Sequence, residues 1–177
     1  MLTPPVLQGP TVTLRLLSLD DAGALAERET RGRLPFATLW NGRPVGSTSY
    51  LGAERWRWPA GSPHQRSDRP DVVEIGATWL AASAQRTRCN TEAKLLMLAH
   101  AFERIGCVRV EFRVNVPNHR SRTAVMRLGA REEGIMRHKT IAVDGRLIDW
   151  VYYSILAEEW PAVKVGLEQK LAAHAPA

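Results

Sequence analysis

The segment Gln85-Arg86-Thr87-Arg88-Cys89-Asn90-Thr91 lies between an apolar, β-prone run and an amphipathic pattern. The first N–H groups of a helix have no partner within the helix, and together with the helix dipole they form an anion site. Arg86 and Arg88 add charged donors suited to a pyrophosphate or a ribose phosphate. The alternative is a plain helix start, capped by Asn90 or Thr91, with both arginines in solvent. The segment alone leaves both interpretations open.

The elements on either side of this turn follow from hydrophobic periodicity. Residues 72–80 are strongly apolar and predict a strand, in which the isolated Gly76 indicates a bulge or a close backbone approach. A helix is predicted at 91–105, followed by a strand at 107–114 and a second helix at 117–128. Strand, helix, strand and helix in this order predict a parallel strand pair. The apolar stripe of the first helix consists of Leu95, Leu98, Phe102 and Ile105.

The remaining elements are predicted from turn and capping residues. Asn41-Gly42 and Asp144-Gly145 are hairpin dipeptides, and each lies between two β-prone runs. The proline-rich and charged stretch at 52–71 indicates a long surface loop. The predicted ranges are 11–17, 35–40, 44–51, 133–142 and 147–156 for strands, and 20–32 and 158–174 for helices.

Composition bounds the class of protein. A chain of 177 residues can bury the core of one domain, so 1–177 is predicted to be a single domain. Cys89 and Cys107 form neither a disulfide framework nor a zinc pattern, which indicates a reducing compartment. The sequence has no leader pattern and no membrane-spanning stretch, so we expect a cytoplasmic protein without a metal site. The net charge of +6 admits a nucleic acid, an acidic protein or a phosphorylated cofactor as partner.

Two segments carry a resemblance to a known family. The run EIGATWL at 74–80 is followed at 85–134 by QRTRCNTEAKLLMLAHAFERIGCVRVEFRVNVPNHRSRTAVMRLGAREEG. In order, they hold a glycine-bearing strand, a turn, an N-x-x-S helix start and an L-G-A-x-x-E-G strand. They resemble the cofactor-binding half of the GNAT superfamily of acetyl-CoA-dependent N-acetyltransferases, in the branch of the RimL-type enzymes of ribosomal-protein N-termini. The likeness extends over 43–161, about two thirds of the chain.

This resemblance implies a fold and a cofactor. The fold is α/β (α+β): a mixed, mostly antiparallel central sheet with a parallel, splayed strand pair in the middle and helices on its flanks. The cofactor is acetyl-CoA, held mainly by residues at about 72–130. Main-chain groups of Trp79 and Leu80 would pair with the pantetheine arm as with an added strand.

The resemblance also assigns the pyrophosphate to the amides of 86–90, in the turn whose Gln85 matches the family motif. Arg88 and Asn90 stand where the family usually has glycines. Glycine lets the backbone approach a phosphate without a side chain in the way. We therefore expect charged side chains to contribute more to pyrophosphate binding in this chain than in family members with both glycines.

Asn118 and Ser121 match the N-x-x-S helix start of the family. There the asparagine commonly contacts the cofactor, and the serine lies near its sulfur as a candidate general acid. The alternative is that Asn118 is a helix N-cap and Ser121 a first-turn residue, and both descriptions can hold together.

Acetyl transfer requires an unprotonated amine, a donor for the thioester carbonyl and a proton for the departing thiolate. A strand N–H within 76–79 is the expected donor, and Glu74 is the candidate base, unless it forms a salt bridge with a neighbouring arginine. RimL-type enzymes tend to have a glutamate where this chain has Thr140, and the nearby His138 is either its substitute or a structural residue. An α-amine, with a pKa of about 7.7–8.0, needs less help than a lysine at about 10.4.

Several functions remain open at this point. The first is an N-acetyltransferase of a protein N-terminus or of a small amine, with a homodimer admissible; a second is an acyl-CoA sensor without turnover. Members of the family usually have two helices that shape the acceptor site, whereas this chain has only 20–32 available for them. Trp56, Trp58 and Trp150 are therefore candidates for the wall of the acceptor site. The third function is nucleic-acid binding, with a basic footprint of Arg120, Arg122, Arg127, Arg131 and Arg137.

Overall fold

A computed structural model of the protein describes residues 5–17, 33–65 and 68–173. Its strands are β1 Leu7–Gln8, β2 Val12–Leu16, β3 Arg33–Trp40, β4 Arg43–Glu54, β5 Val72–Leu80, β6 Arg109–Asn115, β7 Arg131–Ile141 and β8 Leu147–Leu156. Its helices are α1 Cys89–Ala99, which continues as the π-helical turn His100–Ile105, α2 His119–Arg127 and α3 Trp160–Ala172.

The strands form one eight-stranded sheet in the order β1-β2-β3-β4-β5-β6-β8-β7. All neighbouring strands are antiparallel except β5 and β6, which are parallel. The predicted mixed sheet with a parallel pair in its middle is confirmed. Of the helices in the three described ranges, none is long and apolar enough to cross a membrane.

Both predicted hairpins are present. Asn41 and Gly42 have φ values of 50° and 76°, as a tight hairpin turn between β3 and β4 requires. Gly145, with φ of 82°, lies in the turn between β7 and β8. The predicted helix at 20–32 lies outside the described residues.

The hydrophobic core lies between the sheet and two helices. Every second residue of β6 is buried, and these residues are Val110, Phe112 and Val114. They share one core with Met97 of α1 and Leu167 of α3. The strict alternation in β6 is the pattern of a strand with one face on the core.

Helix α1 differs from its prediction in its start and in its buried face. It begins at Cys89 rather than at residue 91, and Gly106, with φ of 80°, ends its π-helical turn. The charged residues Glu92 and Lys94 are buried. A pattern based on apolar residues could not reveal this, because it assigns charged positions of a helix to solvent.

The bulge in β5 lies one residue beyond its expected place. Ser49 is opposite Gly76 and Ser47 is opposite Trp79, so Thr48 alone faces the two residues Ala77 and Thr78. Ala77 has a φ of 48°, which is uncommon outside glycine. At Gly76 itself the close neighbour is a side chain and not the expected backbone, since a Cβ there would lie 2.8 Å from Leu51 Cδ1.

Candidate functional site

The strands β5 and β6 separate in the centre of the sheet. They pair from Val72 opposite Arg109 only as far as Glu74 opposite Glu111. Over 75–80, β5 remains paired with β4 alone. Helix α1 follows β5 and α2 follows β6, so both helices begin at the open end of the gap. We call this gap, between 75–80 and 112–115, the fork. It can present main-chain groups of β5 to an extended ligand, as to an added strand.

Gln85 joins the two helix starts across the mouth of the fork. Its Nε2 donates to the carbonyl of Leu80 at 2.7 Å, and its Oε1 accepts from Arg120 Nη2 at 2.5 Å. Arg120 belongs to the first turn of α2. The turn before α1 and the start of α2, predicted separately from the sequence, therefore lie side by side. The sequence assigns Arg120 to a nucleic-acid footprint and not to this site, because it does not place α2 beside Gln85.

The Thr87 hydroxyl, and neither Asn90 nor Thr91, binds the first amide of helix α1, whose N-cap position is Arg88. The Thr87 hydroxyl accepts from the Cys89 N–H at 3.2 Å and donates to the Ala84 carbonyl at 2.8 Å. Asn90 and Thr91 lie inside the first helical turn, so the prediction of a cap at either residue is wrong. Because Thr87 uses the first amide of the helix, the next two, of Asn90 and Thr91, are left for another acceptor.

The two arginines of the turn lie in different environments. Arg86 is exposed, with a φ of 62°, whereas Arg88 has helical dihedral angles. The Arg88 side chain is only 17% exposed, and its Nε lies 3.5 Å from Glu92 Oε2. Positive φ therefore falls at Arg86 and not at Arg88, where the family motif led us to expect a glycine. Of the two side chains, that of Arg86 is the better placed to meet a phosphate.

Glu92 is a buried carboxylate that the sequence pattern does not single out. Its Oε1 accepts from the N–H groups of Thr11 and Val12 at 2.7 and 2.8 Å. Its Oε2 accepts from the Thr11 hydroxyl at 2.6 Å and also faces Arg88. The carboxylate thus fastens the start of α1 to the start of β2. A glutamate in the first turn of a helix is ordinary, and its partners lie 80 and 81 residues earlier, so no local signal reveals it.

The start of helix α2 agrees with its prediction. Asn118 Oδ1 accepts from the Ser121 N–H at 3.1 Å, which confirms Asn118 as the N-cap. The Ser121 side chain is half-buried, and within the described ranges its hydroxyl has no hydrogen-bond partner. A hydroxyl at this position can donate to a group in the fork.

The carboxylate of Glu74 is held by Arg113. Its Oε2 accepts from Arg113 Nε at 2.7 Å and from Arg113 Nη2, in a site where Glu74 is buried and Arg113 half-buried. These hydrogen bonds raise the pKa of the Arg113 guanidinium further above its usual range. The geometry favours the salt bridge over the base, because the Arg113 guanidinium holds one of the two carboxylate oxygens. Glu74 and its partner in the register, Glu111, form the last pair between β5 and β6 before the two strands separate.

A Glu74→Gln variant separates these two roles. We expect a loss of about 2 kcal/mol in the free energy of unfolding, since a half-buried Arg113 loses its partner. We expect less than a tenfold fall in turnover, with the acid limb of the pH–rate profile retained. The measurements are urea unfolding and kcat/KM against pH. Glu111→Gln is the matched control, because its partner Arg109 keeps a second carboxylate, that of Glu133.

A hundredfold fall in turnover together with loss of the acid limb would instead identify Glu74 as the base, because general bases contribute about 10²- to 10⁴-fold.

Cys89 is a buried thiol within the segment 85–91. Burial, with the nearby charge of Glu92, raises the pKa of this thiol to about 11. A protonated thiol is a poor nucleophile. The site therefore favours direct transfer of a group between two bound molecules over a covalent intermediate on Cys89.

A second irregularity in the sheet surrounds His138 in β7. Met136 is opposite Trp150 and Thr140 is opposite Ile148, so three residues of β7 stand against the single residue Asp149 of β8. His138 has a φ of 52°, and its N–H donates to Asp149 Oδ1 at 2.6 Å. Its side chain is exposed. The Thr140 hydroxyl accepts from Trp150 Nε1 at 2.7 Å.

The tryptophans proposed for an acceptor wall lie at opposite ends of the sheet. Trp150 is opposite Asn115, the last residue of β6, and so lies at the fork end. Trp56 and Trp58 are held by Asp71, just before β5 begins: the Trp56 N–H and Trp58 Nε1 donate to its carboxylate at 2.7 and 2.8 Å. Of the three, only Trp150 is placed to line the fork.

Three of the five arginines in the proposed nucleic-acid footprint have protein partners. Arg120 donates to Gln85, as described above. Arg122 Nε donates to the Tyr153 hydroxyl at 3.0 Å, and Arg131 Nε lies 2.9 Å from Glu159 Oε1. Positive charge engaged in this way is less available to a phosphate backbone, which weakens the nucleic-acid alternative.

The known proteins to which this chain is similar are enzymes. Residues 18–131 match the family model described as "Acetyltransferase (GNAT) domain". The chain is 36% identical over 92 residues to "Putative ribosomal N-acetyltransferase YdaF" of Bacillus subtilis (strain 168); this match covers 52% of the chain and spans about half, 49%, of that relative.

Solved structures give the same result over almost the whole chain. A "putative acetyltransferase" from T. thermophilus is 30% identical, with a TM-score of 0.78 over 97% of this chain and 99% of that one. Mycobacterium smegmatis RimJ in complex with CoA-disulfide is 23% identical, with a TM-score of 0.70 over 92% of this chain and 90% of that one. At that identity the likeness to RimJ concerns the fold alone.

Proposed function

The chain belongs to the GNAT acetyltransferase family, and from this premise we propose that it transfers an acetyl group from acetyl-CoA to a primary amine. The observation that carries the proposal is the fork, whose open end is flanked by the starts of α1 and α2. We propose the α-amine of a protein N-terminus as the acceptor. The name of the B. subtilis relative, a ribosomal N-acetyltransferase, supports this choice. We further propose a single domain and a cytoplasmic location.

The residues of the fork fit coenzyme A. The exposed Arg86 and the amides of Asn90 and Thr91 suit its pyrophosphate. The main chain of Leu80 and its neighbours, on the part of β5 that β6 does not pair, suits its pantetheine arm, whereas the Trp79 carbonyl itself faces β4. When bound, acetyl-CoA supplies a thioester whose carbonyl carbon accepts the amine.

The chain's own residues then have three tasks. Donors of the β5 bulge hold the carbonyl oxygen, the fork excludes water from the pantetheine arm, and Ser121 donates a proton toward the departing sulfur. About half of an α-amine is unprotonated at its pKa of about 7.7–8.0, so the acceptor needs no strong base. The salt bridge between Glu74 and Arg113 agrees with a reaction that uses no strong base.

Calorimetry and a thiol-release assay test the proposal. We expect acetyl-CoA to bind, and a panel of N-terminal peptides to release free thiol faster than small amines such as polyamines do. Binding without thiol release from any acceptor would favour the acyl-CoA sensor. No binding of acetyl-CoA would contradict the proposed function altogether.

A Ser121→Ala variant tests the proton donor. We expect kcat to fall about 10- to 100-fold with little change in acetyl-CoA affinity, since the hydroxyl acts only as the thiolate departs. Thr123→Ala, an exposed position on the same helix, is the matched control. A change confined to acetyl-CoA affinity would remove Ser121 from this role and leave it a cofactor contact.

A further inference from the structure

Lys94 is a fully buried amine in the second turn of α1. Its Nζ donates to the Thr48 and Thr78 hydroxyls, both at 2.7 Å, and these hydroxyls lie 3.0 Å apart. Thr48 also approaches Met97 Sδ at 3.5 Å. We call Lys94, Thr48 and Thr78 the amine cluster. It joins α1 to β4 and β5 through polar groups at a place where the neighbouring core is apolar.

The amine cluster is unfavourable for folding. Burial lowers the pKa of Lys94 to about 7, because a charged ammonium is poorly solvated in the protein interior. In the described part of the chain no carboxylate forms an ion pair with it. An apolar side chain of similar length would fill the same space without removing a charge from water. A lysine at this position therefore calls for a reason other than stability.

Thr78 is the member of the amine cluster that reaches the fork. It belongs to the β5 bulge, beyond the point where pairing with β6 ends, and it is exposed while Thr48 and Lys94 are buried. It lies two residues before Leu80, on the segment of β5 proposed to pair with the pantetheine arm. Its hydroxyl therefore lies beside the path of the arm, with the Lys94 amine behind it.

We propose that Thr78 is a catalytic residue whose hydroxyl donates a hydrogen bond to the thioester carbonyl oxygen, and that Lys94 is the positioning residue that orients and polarises it. This inference rests on the proposed function. Lys94 donates to one lone pair of the Thr78 oxygen, and when the Thr48 hydroxyl is the donor of the contact between the two threonines, the O–H of Thr78 is left for another acceptor. As the amine attacks, the carbonyl π electrons move onto oxygen, and the hydrogen bond from Thr78 strengthens.

Such a donor acts mainly on turnover. Removal of one preorganised donor to a carbonyl oxygen lowers kcat about 10²- to 10³-fold in a dry site. Thr78 is exposed and shares the task with main-chain N–H groups of the bulge, so we expect a smaller effect. The ground-state affinity for acetyl-CoA should change little, since the bond is strongest when charge gathers on the oxygen.

The experiment compares Thr78→Val, Thr78→Ser, Lys94→Met and Thr48→Val with the wild type. Thr78→Val should lower kcat about 10- to 100-fold with KM nearly unchanged, and Thr78→Ser should retain turnover. Lys94→Met should lower kcat about tenfold while it raises Tm by about 3 °C or more, because the buried amine is gone. Thr48→Val, which leaves Thr78 and Lys94 in place, should keep turnover within about threefold of the wild type.

Two readouts separate catalysis from packing. In the double variant, Lys94→Met should add little to Thr78→Val, because Lys94 acts through Thr78. With acetyl-CoA labelled by ¹³C at the carbonyl and no acceptor present, the bound carbonyl resonance should move upfield in Thr78→Val. Affinity for CoA itself, which lacks the carbonyl, should be unchanged.

Unchanged kcat and an unchanged carbonyl resonance in Thr78→Val would overturn the proposal, as would a Thr48→Val variant as slow as Thr78→Val. Additive effects in the double variant, or a lower Tm in Lys94→Met, would remove Lys94 from the positioning role. If the wild type binds no acetyl-CoA, the proposed function itself fails; if it binds and turns over, these outcomes concern Thr78 and Lys94 alone.

Discussion

Alanine in place of Gly46 is expected to destabilise the protein by about 3 kcal/mol and to weaken acetyl-CoA binding at least about tenfold. Gly46 is buried in β4, opposite Leu80 of β5. A Cβ there would lie 2.1 Å from the Trp79 carbonyl oxygen and 3.0 Å from Leu80 Cα. Both are main-chain atoms, so the clash moves the strand rather than a flexible side chain. The strand that moves is the proposed partner of the pantetheine arm.

Urea unfolding and calorimetric titration with acetyl-CoA measure the two effects of Gly46→Ala. Gly166→Ala is the control, because Gly166 lies within α3 with nothing near the new Cβ. Alanine there should stabilise the helix by roughly 0.5–1 kcal/mol and leave binding unchanged. If Gly46→Ala were as stable as the wild type, the close pairing of β4 and β5 at this point would be incorrect.

Replacement of Glu92 by alanine is expected to lower the free energy of unfolding by about 3–5 kcal/mol. The change leaves the N–H groups of Thr11 and Val12 without their acceptor, and the Arg88 side chain without its carboxylate. Buried donors that lose a charged acceptor keep their full desolvation penalty. Such a loss is a large part of the stability of an ordinary domain.

Equilibrium urea unfolding measures the effect of Glu92→Ala, with Glu92→Gln as the variant that keeps the shape and removes the charge. We expect Glu92→Gln to lie between alanine and the wild type, because an amide oxygen accepts fewer of these bonds. Glu158→Ala, at an exposed position, is the control and should change stability by less than about 0.5 kcal/mol. A Glu92→Ala protein as stable as this control would mean that the carboxylate is solvated.

The order of the elements was predictable because it rests on local signals. Asn41-Gly42 fixed one hairpin, and the strand–helix–strand–helix order around the turn fixed the parallel pair of β5 and β6. The N-cap at Asn118 was equally local, since the residue it bonds lies three positions away. In each case the interaction joins residues that are close in the sequence.

Most of what the sequence left open or did not reveal concerns interactions between residues that are far apart in the sequence. Glu74 is a candidate base by its sequence, with a salt bridge as the alternative, and its partner Arg113 lies on a neighbouring strand whose register the sequence does not give. Glu92 and Lys94 look like ordinary helical charges in the sequence, although their partners lie on β2, β4 and β5. The prediction of a cap at Asn90 or Thr91 is wrong for a local reason, because the first residue of a helix is defined only to within one or two residues.

The bond between Glu92 and the start of β2 also bears on the order in which the chain can fold. The carboxylate joins residues 81 positions apart, whereas the strands β2, β3 and β4 are neighbours within the N-terminal part of the chain. During synthesis, the N-terminal strands leave the ribosome well before Glu92 is made. Closure of so long a loop carries an entropy penalty that only later contacts offset. The outer strands of the sheet, first to be made, are thus among the last to be secured, and a nascent chain that stops short of α1 leaves the face of β2 that packs against this helix uncovered.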